Sequence, residues 1–116
     1  MPINSRSKGK RGELSARDAV REHWSAPECV RSAQAAGAYA ADLLHAGYAV
    51  HVEVKNVARL GTERYMLQAE RDADESELPV VVMKQSRGEW CVMLRLSDSV
   101  KFADMLVANR KKLLED

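Results

Sequence analysis

The chain has 116 residues, 46% of them apolar and 30% charged, with a formal net charge of +1. This length suits one domain with one modest core, and the composition excludes a chain disordered throughout. Near-neutrality also excludes the bulk positive charge that would by itself announce a nucleic-acid partner.

Charge is unevenly spread. Residues 1–17 carry Arg6, Lys8, Lys10, Arg11 and Arg17 against the single acid Glu13. Residues 1–9, with Pro2 and Gly9, read as a flexible basic arm. Such an arm suits phosphate contact, although a plain solvated terminus fits the same charges. A helix is predicted over 10–24, with Ala16, Ala19, Val20 and Trp24 at helical spacing. Glu13 falls on or beside that apolar stripe. A first-turn acid favoured by the helix dipole would look the same.

Pro27 breaks the helix, and residues 29–31 suit a short strand. The small residues that follow read as a loop. Strands are predicted over 41–46 and 48–56, turned into a hairpin at Gly47. In the second of these Val50, Val52 and Val54 alternate with His51, Glu53 and Lys55, the period of a half-buried strand. A helix over 63–76 presents Tyr65, Met66, Ala69 and Ala73, and a continuous apolar strand over 79–85 suits the centre of a covered sheet. Arg87-Gly88 turns the chain into a last strand over 89–96. Ser97-Asp98 can cap a final helix to about residue 114, with Val100, Ala103, Val107 and Leu114 on one side. The order α-β-β-β-α-β-β-α predicts a single α/β domain, residues 10–116, with a mixed central sheet flanked by helices. The hairpin makes one strand pair antiparallel, and the helix after Lys55 can act as a parallel crossover.

Cys29 and Cys91 form neither a disulfide framework nor a zinc pattern, which suits a reducing cytoplasm. No apolar run has a membrane-spanning length, and no apolar segment of a signal peptide follows the basic start.

The candidate chemistry starts from Glu53 and Lys55. Residues two apart on a strand point the same way, roughly 6.5–7 Å apart. One can hold a hard cation while the other reaches a phosphate bound to it. Magnesium takes oxygen ligands, few of them from protein. Asp42 is the natural second carboxylate, since it starts the strand paired with the one holding Glu53. Glu13 can reach the same end if the first helix packs there. The alternative for Glu53 and Lys55 is an exposed ion pair of small worth. His51 shares their face and suits either a site-lining or a surface role. Gln68 suits a solvated helix position as well as a site, and Ser32 a plain loop. His23 and His45 lack partners at metal-ligand spacing. Trp24, Trp90 and Phe102 read as core or interface anchors.

Asp42 followed by Glu53-Val54-Lys55 resembles the PD-(D/E)XK nuclease superfamily, which has a restriction-endonuclease-like fold. Within it, the chain is similar to small Holliday-junction resolvases of the archaeal type and their phage relatives. The resemblance includes the run from Lys8 to Glu13, Val30-Arg31 and the small-residue loop before Asp42, Gln68, Pro79 before an apolar strand, and Trp90. It covers about residues 8–96. Ala41 stands where the superfamily often has proline. The resemblance implies that Asp42, Glu53 and the Val54 carbonyl bind one or two Mg²⁺ or Mn²⁺ ions, with Glu13 joining directly or through water. It implies that Lys55 orients the attacking water or neutralises charge on the phosphate, supported by Gln68. Lys8, Lys10, Arg11, Arg31 and Ser32 would contact DNA phosphates. The implied activity is hydrolysis of DNA to 5′-phosphate products, with paired nicks in four-way junctions made by a homodimer. A nicking, restriction-type or phage DNA-processing nuclease shares the same core, and an inactive DNA-binding module is a third reading.

Overall fold

The computed structural model describes residues 5–32, 40–58 and 61–115, with side chains from Gly9 onward. Helix α1 is Ser5–His23, and the short strands β1 (Val30–Arg31) and β2 (Leu43–Leu44) follow. Then come β3 (Val50–Val57), α2 (Thr62–Asp72), β4 (Leu78–Gln85) and β5 (Cys91–Met93). A 3₁₀ turn, Leu96–Asp98, leads into α3, Ser99–Glu115. The α-β-β-β-α-β-β-α order and the single α/β domain match the sequence expectation.

The five strands form one sheet in the order β1-β2-β3-β4-β5. Its core is the parallel pair β3–β4, with Val52 opposite Val80 and Glu53 opposite Val81. The other three neighbouring pairs are antiparallel. The continuous apolar run of β4 is covered on both faces. Val80 and Val82 join Val52 and Val54 under α1 and α3, while Val81 and Met83 meet Tyr65, Met66 and Ala69 of α2. His51, Glu53 and Lys55 therefore point to the α2 side. The valines between them build the opposite core, which is why a strand with three polar side chains can sit inside the sheet.

Helix α1 starts five residues ahead of the predicted Lys10, so residues 5–9 of the expected arm are helical. Arg and Lys are good helix formers and outweigh the cost of about 1 kcal/mol for one glycine. Of the expected loop over 32–39, residues 33–39 lie outside the described residues, as do the first four residues. Strand β2 is shorter than predicted because His45, at φ 63°, turns left-handed and ends the ladder. The hairpin turn rests on His45 and Ala49 (φ 53°), not on a left-handed Gly47. Gly47 serves packing instead: a Cβ there would lie 2.4 Å from Met105 Sδ. Helix α2 stops at Asp72, where Ala73 is extended.

Helix α3 overturns the predicted core face. Val100, Val107 and Leu114 are 72%, 68% and 74% exposed, and Ala103 is exposed beside them. The packed face carries Met105, with Phe102 and Leu106 half-buried. Phe102 meets Trp24 edge-on at 5.2 Å between ring centroids. Asn109 Nδ2 donates to the carbonyls of Trp24 (3.0 Å) and Ala46 (2.8 Å). One aromatic ring, a thioether and a bidentate amide outweigh a stripe of smaller aliphatic side chains.

Candidate active site

Asp42 is placed by backbone bonds on both sides. Its N–H donates to the Val52 carbonyl at 2.8 Å, and its own carbonyl accepts from the Ser32 N–H at 2.9 Å. With the main chain held, its carboxylate crosses to the neighbouring strand, where Oδ2 accepts from the Val54 N–H at 2.8 Å. Glu53 precedes Val54, which brings its carboxylate against that of Asp42. Glu53 is 3% exposed.

Burial is the main reason the Asp42 carboxyl is pushed up to about 7. The Val54 N–H opposes this by favouring the anion, while the charges of Glu53 and Glu13 and the bond to Glu53 add to it. Asp42 therefore holds a proton more readily than an exposed carboxylate does. A half-buried aspartate against a buried glutamate presents hard oxygens of like charge on one side of the sheet.

His51 lies on the same strand face and is 2% exposed. Its Nε2 is 2.8 Å from Glu53 Oε1, and its Nδ1 is 3.8 Å from Glu77 Oε1. Burial pulls the imidazole down, but the bond to Glu53 and the charges of Glu53, Glu77 and Asp72 outweigh it, so His51 ends above its ordinary value. The alternation of β3 pointed to this residue, but a sequence cannot show that the face is buried.

Lys55 Nζ donates to Gln68 Oε1 at 2.8 Å and lies 5.4 Å from the Tyr65 ring centroid. Strand β3 and helix α2 thus hold the amine from two directions. Glu13, Val54 and Lys55 line one open cleft with Gly9, Gly12 and Asn56. Gly12 lets α1 come close, since a Cβ there would lie 3.2 Å from Asn56 Cβ.

Other expected residues are placed differently. Glu13 Oε1 accepts from Arg31 Nε at 2.6 Å, so the acid and the expected phosphate contact bind each other. Glu13 reaches Asp42 through its charge. Lys10 and Arg11 are exposed on α1, Ser32 is buried, and the Lys8 side chain lies outside the described ones. The Glu13–Arg31 pair had no signal in the sequence, because its members are separated by a helix and a turn.

A family model described as Phage putative PDDEXK endonuclease matches residues 4–113. The chain belongs to this family. A phage PD-(D/E)XK endonuclease is a nuclease, and this match spans every element from α1 into α3. No curated protein and no solved structure matches the chain.

PD-(D/E)XK nucleases use divalent metals in general. Among the described residues no group of three or more His, Cys, Asp or Glu is arranged to hold a metal ion. The contact between Asp42 and Glu53 nevertheless suits magnesium or manganese. Magnesium is commonly held by one or two carboxylates and keeps several waters.

Proposed function

We propose that this phage PD-(D/E)XK endonuclease is a metal-dependent DNA endonuclease that cuts four-way junctions, with Asp42, Glu53 and the Val54 carbonyl holding Mg²⁺ or Mn²⁺. The observation that carries the reading is the close approach of Asp42 and Glu53, where burial and like charge push the Asp42 carboxyl up and a cation would offset the repulsion. Bound there, a divalent ion would lower the pKa of a water and neutralise charge on a phosphodiester.

The chain's own residues supply the rest. Asp42 is held in place by the Val54 N–H. Gln68 orients the Lys55 ammonium toward the position of the scissile phosphate, where it offsets developing negative charge. Glu13 keeps Arg31 at the edge of the site and adds negative charge near Asp42. Lys10 and Arg11, exposed on α1, contact flanking phosphates and carry no sequence information. Lys8 extends the same basic segment, and Ser32 supports Asp42 through its backbone. Hydrolysis leaves a 5′-phosphate and a 3′-hydroxyl.

A four-way junction has two-fold symmetry, and a homodimer offers two sites at a fixed spacing. A second copy as partner is supported by the outward stripe of Leu96, Val100, Ala103, Val107 and Leu114. From Leu96 to Val107 these residues follow the three- and four-residue steps of a helix-pairing seam, and Leu114 follows one heptad on.

The test is cleavage of a four-way junction, a linear duplex and a flap by the wild type, Asp42→Asn and Glu53→Gln. Paired nicks confined to the junction, lost in both variants while junction binding survives, support the reading. Equal cutting of linear duplex assigns the protein to general DNA processing instead. Full cleavage by either variant removes the site assignment.

A further inference from the structure

The buried His51 is unusual among the polar groups near the site: it touches a proposed ligand yet lies behind it. Its Nε2 is 2.8 Å from Glu53 Oε1, and both side chains are almost sealed from solvent, at 2% and 4% exposure. A glutamate on a strand has several rotamers, and burial alone selects none of them. A buried carboxylate also needs donors, since leaving it unpaired costs several kcal/mol. The imidazole N–H supplies a short charge-assisted bond to one particular oxygen. Behind the ring, Glu77 Oε1 lies 3.8 Å from Nδ1. Asp72, with a side chain 3% exposed, adds negative charge near the ring.

We propose that His51 is a positioning residue: it fixes the Glu53 carboxylate through Oε1, is itself held against Glu77, and so sets the oxygen geometry that Glu53 and Asp42 present. The inference rests on the metal-site reading of Asp42 and Glu53. It adds a residue outside the acid pair that controls how well the pair binds a cation. Donors behind a metal ligand typically change affinity 10- to 100-fold when removed.

The test contrasts two amides at one position. A glutamine places its Nε2 near the imidazole Nε2, whereas an asparagine reaches only to the level of Nδ1. Mn²⁺ binding to the full chain without DNA is measured by calorimetry for the wild type, His51→Gln and His51→Asn, with melting curves for each. Mn²⁺ affinity weakened about tenfold or more in His51→Asn, and kept within about threefold in His51→Gln, supports the proposal. Equal affinities in all three folded proteins overturn it, as does equal weakening in both variants. A wild type that takes up no Mn²⁺ refutes the metal reading itself. Crystal structures of the metal-free wild type and His51→Asn then decide the positioning role separately: a shifted Glu53 carboxylate supports it, and an unmoved one overturns it. If His51→Asn does not fold, His51→Gln carries the test. A loss of Mn²⁺ affinity beyond threefold in the folded glutamine variant overturns the proposal; retained affinity supports it when the crystal structure of that variant shows the glutamine amide bonded to Glu53 Oε1, and overturns it when that bond is absent.

Discussion

Asp42 links the chemistry of the site to its stability. In the unfolded chain its carboxyl has the ordinary value of 3.8, and in the folded protein it is pushed up to about 7. Between those values the folded state holds a proton that the unfolded chain has released. Stability therefore falls as pH rises through that window and levels off above it. His51 acts in the same direction. Its folded value is raised, so its contribution is full below its ordinary value of 6.5 and is lost as pH climbs through the folded one. The metal-free protein should melt higher at pH 5.5 than at pH 8, and Asp42→Asn should flatten that slope; thermal melts across pH check it. Mn²⁺ affinity should run the other way, weakening by about tenfold per pH unit below 7, because a bound ion must displace the proton that Asp42 holds there. At the same scale, Lys55→Ala should lower turnover on a junction about 100-fold or more while DNA affinity changes little, read from single-turnover kinetics and binding titrations. Gln68→Ala should show a smaller version of the same split, since it positions the amine and does not replace it.

Elements position these residues through backbone geometry more than through side-chain choice. Strand β3 alternates between two cores, so a core of valines and a polar site occupy opposite faces of eight residues. Strand β2 is only two residues long, yet it suffices, since Leu43 pairs with Val52 and places Asp42 beside Val54. Helix α3 is tied down by Asn109, whose amide satisfies two carbonyls from separate loops. Asn109→Ala leaves both acceptors without that donor and should destabilise the protein by about 1–3 kcal/mol, measured by denaturant unfolding. Cleavage at temperatures well below the melting point should persist, because α3 lines no part of the Asp42–Glu53 contact. The helical period of α3 was legible in the sequence, but its inward face was not. Period identifies a stripe of aliphatic side chains, whereas the groove between Trp24 and Gly47 selects residues that fill it: Phe102 and Met105.

For the whole molecule, the outward stripe of α3 bears on assembly. Val100 and Val107 are already in solvent, so changing both to lysine should leave the melting temperature within a few degrees. If a second copy covers this face, the double variant should sediment as a monomer where the wild type sediments as a dimer. Its nicks in a four-way junction should then become independent of each other. DNA binding should weaken steeply with salt whatever the assembly, since the phosphate contacts proposed for Lys10 and Arg11 would release counterions. No helix among the described residues is long and apolar enough to cross a membrane.

The sequence by itself determined the element order, the central position of β4, the shared face of His51, Glu53 and Lys55, and the kinship with PD-(D/E)XK nucleases. These follow from local period and from motif order, which neighbouring residues carry along the chain. Only the tertiary structure decided that Asp42 and Glu53 meet, that Glu13 turns to Arg31, that His51 stands behind Glu53, and which face of α3 is buried. Each of those depends on groups brought together from distant elements, or on the burial that sets the strength of their charges, and neither is written in the spacing of any one segment.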